Sequence, residues 1–71
     1  MNVQSRKFKH GRFDWTVSIT DCGQGIYTAI LTEEGLYSNP YIELARVTGS
    51  PEEVEQTIQI WTSGEGVEEL K

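Results

Sequence analysis

Apolar and polar residues alternate strictly from residue 13 to residue 20. The apolar positions hold aromatic or β-branched side chains, and hydroxyls and an aspartate stand between them. This period of two predicts a half-buried β-strand. Residues 21–25 follow with two glycines, which favours a hairpin loop that leads into a return strand over residues 26–32.

Residues 41–48 admit two interpretations. As a third strand they place Ile42 on one face and Val47 on the other. As a short helix they use Asn39 as the cap and Pro40 at the first position. The strand is favoured because a two-stranded hairpin alone is marginal in water. Proline cannot donate to a strand ladder, so this strand is expected at an edge of the sheet.

A helix start follows at residues 50–53. Ser50 is the predicted N-cap, Pro51 takes the first helical position, and Glu53 completes a capping box. Three apolar residues then recur at helical spacing: Val54, Ile58 and Trp61. This stripe predicts a helix that packs on the apolar face of the alternating strand.

These elements predict an α+β fold of order β-β-β-α. It consists of a small antiparallel sheet of three to four strands with one C-terminal helix packed on one face. We expect all 71 residues to belong to one small domain. Residues 1–12 are expected to form a basic N-terminal arm or an extra strand. Residues 65–71 are expected to form an acidic flexible tail.

The charge is divided unevenly along the chain, whose formal net charge is -5. Residues 1–12 hold four basic residues and no acid, which gives +4. Residues 13–71 hold two basic and eleven acidic residues, which gives -9. A basic segment on an acidic body is expected either to fold onto that body or to contact an acidic partner.

The sequence offers little for catalysis or for binding a cofactor. His10 is the only histidine and Cys22 the only cysteine, so a zinc site with its usual four ligands is not expected. We expect no catalytic residues, no metal and no cofactor. The apolar runs are far shorter than the ~20 residues of a membrane-spanning helix, so no membrane association is expected. A single cysteine with no disulfide partner favours the cytoplasm.

We therefore expect a small non-enzymatic interaction or regulatory module. It would bind a protein partner through a sheet edge or an exposed aromatic surface, and a weak homodimer is one form of that association. The alternative is a nucleic-acid-associated protein that uses the basic N-terminal arm. The acidic body disfavours this alternative. The candidate partner-binding residues are Arg6, Lys7, Phe8, Lys9, Arg12, Tyr41 and Glu43.

Overall fold

A computed structural model describes residues 3–34 and 42–70 of the chain. These residues form β1 (Val3–His10), β2 (Phe13–Gly23), β3 (Ile26–Glu34), β4 (Ile42–Gly49), α1 (Pro51–Thr62) and β5 (Val67–Leu70). The strands make one antiparallel sheet of order β4-β3-β2-β1-β5. The α+β class is as predicted, but the described residues form five strands instead of three or four. The predicted order with a C-terminal helix is also wrong, because four strands precede α1 and β5 follows it.

Two tight turns connect the first three strands. Gly11 and Arg12 join β1 to β2, and Gly11 adopts a φ of 63°, which glycine tolerates without strain. Gln24 and Gly25 join β2 to β3 with φ values of 57° and 75°. A two-residue hairpin turn of type I′ needs positive φ at both positions. The loop is shorter than the five residues expected, because strand pairing continues up to Gly23.

The N-terminal segment is a strand and not a free arm. β1 pairs with β2 along its whole length, from Val3 opposite Thr20 to His10 opposite Phe13. Of the two forms expected for residues 1–12, the extra strand is therefore the one observed for residues 3–10.

The C-terminal segment departs from the expectation of a flexible tail. Residues 67–70 form β5, which pairs antiparallel with β1 and places Val67 opposite His10. The tail prediction is wrong at these positions, since their backbone is held by the ladder to β1. This strand is the fifth in the sheet, and it lies at the edge opposite β4.

Helix α1 covers one face of the sheet, which we call the helix face. The buried core between them consists of Phe8, Val17, Ala29, Leu31, Val54 and Ile58. The predicted helix stripe is confirmed in its first two members, and Trp61 packs partly buried against the same core. Removal of this apolar surface from water is the main source of stability in a domain of this size.

The start of α1 is set by the residues that the sequence indicates. Ser50 is the N-cap, and its Oγ accepts a hydrogen bond from the backbone N–H of Glu53 at 3.3 Å. The backbone carbonyl of Ser50 accepts from Val54 N at 2.9 Å, which closes the first helical turn. Pro51 occupies the first helical position, where its missing N–H costs nothing.

The other face of the sheet, which we call the open face, carries no element among the described residues. Its centre consists of hydroxyl side chains and one isoleucine: Thr16, Ser18, Thr20, Thr28, Ile30 and Thr32. The hydroxyls of Thr28 and Thr48 are hydrogen-bonded at 3.0 Å across neighbouring strands. The alternation along β2 thus separates the buried core from a polar, hydroxyl-rich surface.

Candidate protein-binding edge

β4 is an edge strand of the sheet. It pairs with β3 on one side, and no strand of residues 3–34 or 42–70 pairs with its other side. We call this unpaired side of Ile42–Gly49 the β4 edge. An edge strand presents N–H and C=O groups that can pair with a further strand. The prediction of a strand at an edge is confirmed for the described part of residues 41–48.

A β-bulge interrupts the alternation along β4. The register shifts between Leu31 and Thr32 of β3, and Leu44 of β4 is left without a direct partner. Because of this extra residue, Ile42 falls on the same face as Val47. The strict alternation predicted for this strand, with these two residues on opposite faces, is wrong.

Apolar side chains are exposed along the β4 edge and beside it. Ile42 is 47% exposed and Leu44 is 45% exposed. Ile60 of α1 is 72% exposed. Glu53 lies against Gly49 of β4, and Ile60 follows Glu53 by two helical turns on the same flank of α1. The flank of the molecule next to β4 therefore combines unpaired backbone with exposed apolar surface.

An ion pair stands on the open face of β4. The guanidinium of Arg46 donates to the carboxylate of Glu43 at 2.8 Å and 3.4 Å. These two residues are three apart in sequence, and the bulge between them turns both toward the open face. The hydrogen bond from Arg46 lowers the pKa of Glu43, and the same bond raises the pKa of Arg46.

The basic residues of the N-terminal segment are divided between the two faces of the sheet: Arg6 lies opposite Val17, whereas Lys7 and Lys9 lie on the other face. Arg6 lies on the helix face, where its guanidinium donates two hydrogen bonds to the Glu55 carboxylate at 3.0 and 2.9 Å. That hydrogen bonding raises the pKa of Arg6. The pair ties β1 to α1, so Arg6 is engaged within the chain.

The other cations of this segment have different surroundings. Lys7 lies on the open face and donates from Nζ to the hydroxyl of Thr16 at 3.2 Å. Lys9 stands opposite Glu68 of β5, and Arg12 lies in the turn between β1 and β2. The positive charges of residues 1–12 are therefore separated from one another in the fold and lie beside acidic or neutral groups.

Three of the predicted contact residues are not basic: Phe8, Tyr41 and Glu43. Phe8 is 5% exposed and belongs to the core, so the prediction that its ring contacts a partner is wrong. Its position on the helix face of β1, opposite Trp15, explains the burial. Tyr41 lies outside the described residues, whereas Glu43 lies on β4.

Sequence reasoning missed the three exposed apolar residues of this region as site residues: Ile42, Leu44 and Ile60. A signal was present in Ile60, which lies outside the apolar stripe of α1 and is an isoleucine where polar residues are usual. The bulge at Leu44 has no comparable signal, because it depends on the register with β3.

The described residues hold no arrangement suited to metal chemistry. Within residues 3–34 and 42–70, no three His, Cys, Asp or Glu side chains are grouped so that they could hold a metal ion. Cys22 is exposed, and its Sγ lies 3.4 Å from the hydroxyl of Thr28. The one helix among these residues is too short and too polar to cross a membrane.

Comparisons with known proteins found no significant match: no family model matches the sequence, no curated protein is similar to it, and no solved structure matches the fold.

Proposed function

We propose that this protein is a non-enzymatic interaction module that binds an extended segment of a protein partner along the β4 edge. The observation that carries the proposal is the unpaired side of an eight-residue strand, flanked by the exposed side chains of Ile42 and Leu44. Strand addition at such an edge gains main-chain hydrogen bonds, and exposed apolar side chains add contact area.

The opposite edge of the sheet is a poorer binding surface. β5 has four residues, and two of them are acidic, Glu68 and Glu69. Short length and charge are the devices by which edge strands resist pairing with other chains. β4 is twice as long, and its two charged residues neutralise each other. These differences favour β4 over β5 as the edge that accepts a strand.

An aromatic surface is less well supported than the edge. Trp15, Tyr27 and Trp61 are partly buried and pack against the core. Trp15 is further engaged, because its Nε1 donates to the Glu33 carboxylate at 2.9 Å and its ring lies 4.7 Å from that of His10. These rings therefore stabilise the domain, and we assign partner binding to β4.

The nucleic-acid alternative loses its main support in the folded chain. It requires basic side chains on one surface and an aromatic ring free to stack on bases. Arg6 is paired with Glu55, Phe8 is in the core, and Lys7 and Lys9 face away from Arg6 across the sheet. We propose that nucleic acid is not a ligand. We also propose a cytoplasmic location, which the lone exposed Cys22 supports.

A matched pair of variants tests the use of the β4 edge. Leu44 on β4 and Leu70 on β5 are the same residue type with nearly equal exposure, 45% and 46%. Leu44→Glu and Leu70→Glu change the net charge equally but place the new charge at opposite edges of the sheet. The tagged wild-type chain and both variants are used to capture proteins from the source cell.

We expect a protein that binds wild type and Leu70→Glu but is lost from Leu44→Glu. Hydrogen exchange with that purified protein should then protect amides of residues 42–49. Equal recovery by both variants would contradict the proposal, as would protection confined to strands other than β4. Circular dichroism of each variant checks that the fold is intact.

A further inference from the structure

The β4 edge has the residue pattern of a self-complementary strand. Two identical strands related by a two-fold axis pair antiparallel, and residue i opposite residue j implies j opposite i. Directly opposed side chains must also lie on the same face of the joined sheet. In a regular strand this limits opposed residues to those an even number of positions apart.

The bulge at Leu44 changes this condition. Residues before the bulge share a face with residues an odd number of positions later, as Glu43 and Arg46 do on the open face. Ile42 and Val47 share the helix face in the same way. One two-fold axis, between Leu44 and Ala45, brings each member of both pairs opposite the other member in a second copy.

On this pattern, and on the proposed use of the β4 edge, we infer that the segment bound there is β4 of a second copy of this chain. The strands pair antiparallel with Glu43 opposite the partner's Arg46 and Ile42 opposite the partner's Val47. The two copies then contribute four charges that alternate in sign on the open face. The helix face gains two apolar cross-strand pairs, and the two sheets join into one.

Other registers of the same pairing are less favourable. An axis through Arg46 would place two guanidinium groups directly opposite each other, and like charges in that position are destabilising. An axis through Val47 would pair only residues 45–49 and leave Ile42 and Leu44 exposed. Charge complementarity and apolar contact therefore select the same register.

The second copy also accounts for the exposed isoleucine of the helix. A two-fold axis perpendicular to the joined sheet keeps both α1 helices on one face and turns their β4-side flanks toward each other. Ile60 lies on that flank. The paired strands involve about six residues from each copy, which is fewer than the roughly 20–30 residues per partner of a standard interface. We expect a weak dimer, with a Kd of about 10 µM to 1 mM.

Charge reversal tests the register. In Glu43→Arg, two arginines face each other across the interface at both ends, and in Arg46→Glu two glutamates do so. Each purified variant should remain monomeric at a concentration at which the wild type dimerises. A 1:1 mixture of the two variants should form heterodimers, because every cross-strand pair then has opposite charge.

Two further variants make the test specific. Glu43→Arg combined with Arg46→Glu restores opposite charges across the interface and should dimerise with a Kd within about threefold of wild type. Arg12→Glu changes the net charge as Arg46→Glu does, but in the turn between β1 and β2, and it should leave dimerisation intact. Sedimentation velocity measures each species, and circular dichroism confirms folding.

A wild-type chain that stays monomeric up to about 1 mM overturns the inference. So does a dimer that both single variants retain, or a mixture that fails to associate. These outcomes are distinct from failure of the proposed function. If the wild-type chain stays monomeric but captures another protein in a way that depends on Leu44, the inference fails while the proposed function stands.

Discussion

Replacement of Ile58 by valine tests the attachment of α1 to the sheet. Ile58 is 1% exposed and lies in the core between the helix and the sheet. The substitution removes one buried methylene and leaves the β-branch, the charge and the polar contacts of the helix unchanged. Ile60 provides the matched control, since it is the same residue on the same helix with 72% of its surface exposed.

The magnitude follows from what each side chain buries. Removal of a buried methylene costs about 0.8 kcal/mol in transfer free energy, and the residual cavity brings Ile→Val in a core to about 0.5–1.5 kcal/mol. Ile60→Val should change stability by less than about 0.5 kcal/mol, as surface substitutions do. Any difference in helix propensity between isoleucine and valine enters both variants and cancels in the comparison.

Urea titration followed by tryptophan fluorescence measures both variants. The protein is kept dilute so that association makes no contribution. We expect Ile58→Val to lower the midpoint at an unchanged m-value and Ile60→Val to match wild type. Thermal unfolding should show a fall in Tm of about 4–8 °C per kcal/mol lost. Equal midpoints for the two variants would refute the packing of α1 through Ile58.

Three other predictions follow from named contacts. Ser50→Ala removes the N-cap acceptor and should lower the free energy of unfolding by about 0.5–2 kcal/mol in urea titration. Arg6→Lys keeps the positive charge but removes the bidentate hydrogen bonding to Glu55. Because the pair is partly exposed, a double-mutant cycle with Glu55→Gln should give a coupling free energy of at most about 1 kcal/mol. Fluorescence anisotropy should detect no binding of single- or double-stranded oligonucleotides at physiological salt, and a salt-sensitive complex lost in Lys7→Ala with Lys9→Ala would contradict this.

The elements that the sequence predicts well are those with a local cause. Residues 13–20 alternate without a miss, and the observed strand contains all of them. The start of α1 depends on Ser50 and Pro51, whose effects on backbone geometry act within one helical turn. Periodicity and capping depend on residues that are close in sequence, so both can be recognised without knowing which elements pack together.

The two strands at the chain ends depend on contacts that are distant in sequence. On the helix face of β1, Phe8 is the only apolar side chain, and Arg6 is accommodated there by the distant Glu55. Half of the residues of β5 are acidic, and the strand forms where Val67 and its neighbours can pair with β1, more than fifty residues away. Such pairing is set by tertiary context, which outweighs local propensity in short strands.

The candidate site was predicted in part for the same reason. The position of β4 at an edge could be inferred from Pro40 and the small number of strands. The bulge at Leu44 could not, because it is a feature of the register between β3 and β4. The basic residues 6–12 formed a cluster in sequence, but alternation along β1 sends Arg6 and Lys7 to opposite faces of the sheet.

Residue-resolved hydrogen exchange across the two edge strands tests the central claim most directly, namely that β4 is the binding edge. Exchange is compared between dilute protein and protein that is either concentrated or saturated with a captured partner. We expect added protection in residues 42–49 and none in residues 67–70. Protection that appears in β5 or in another strand, with exchange in β4 unchanged in both conditions, would contradict this claim.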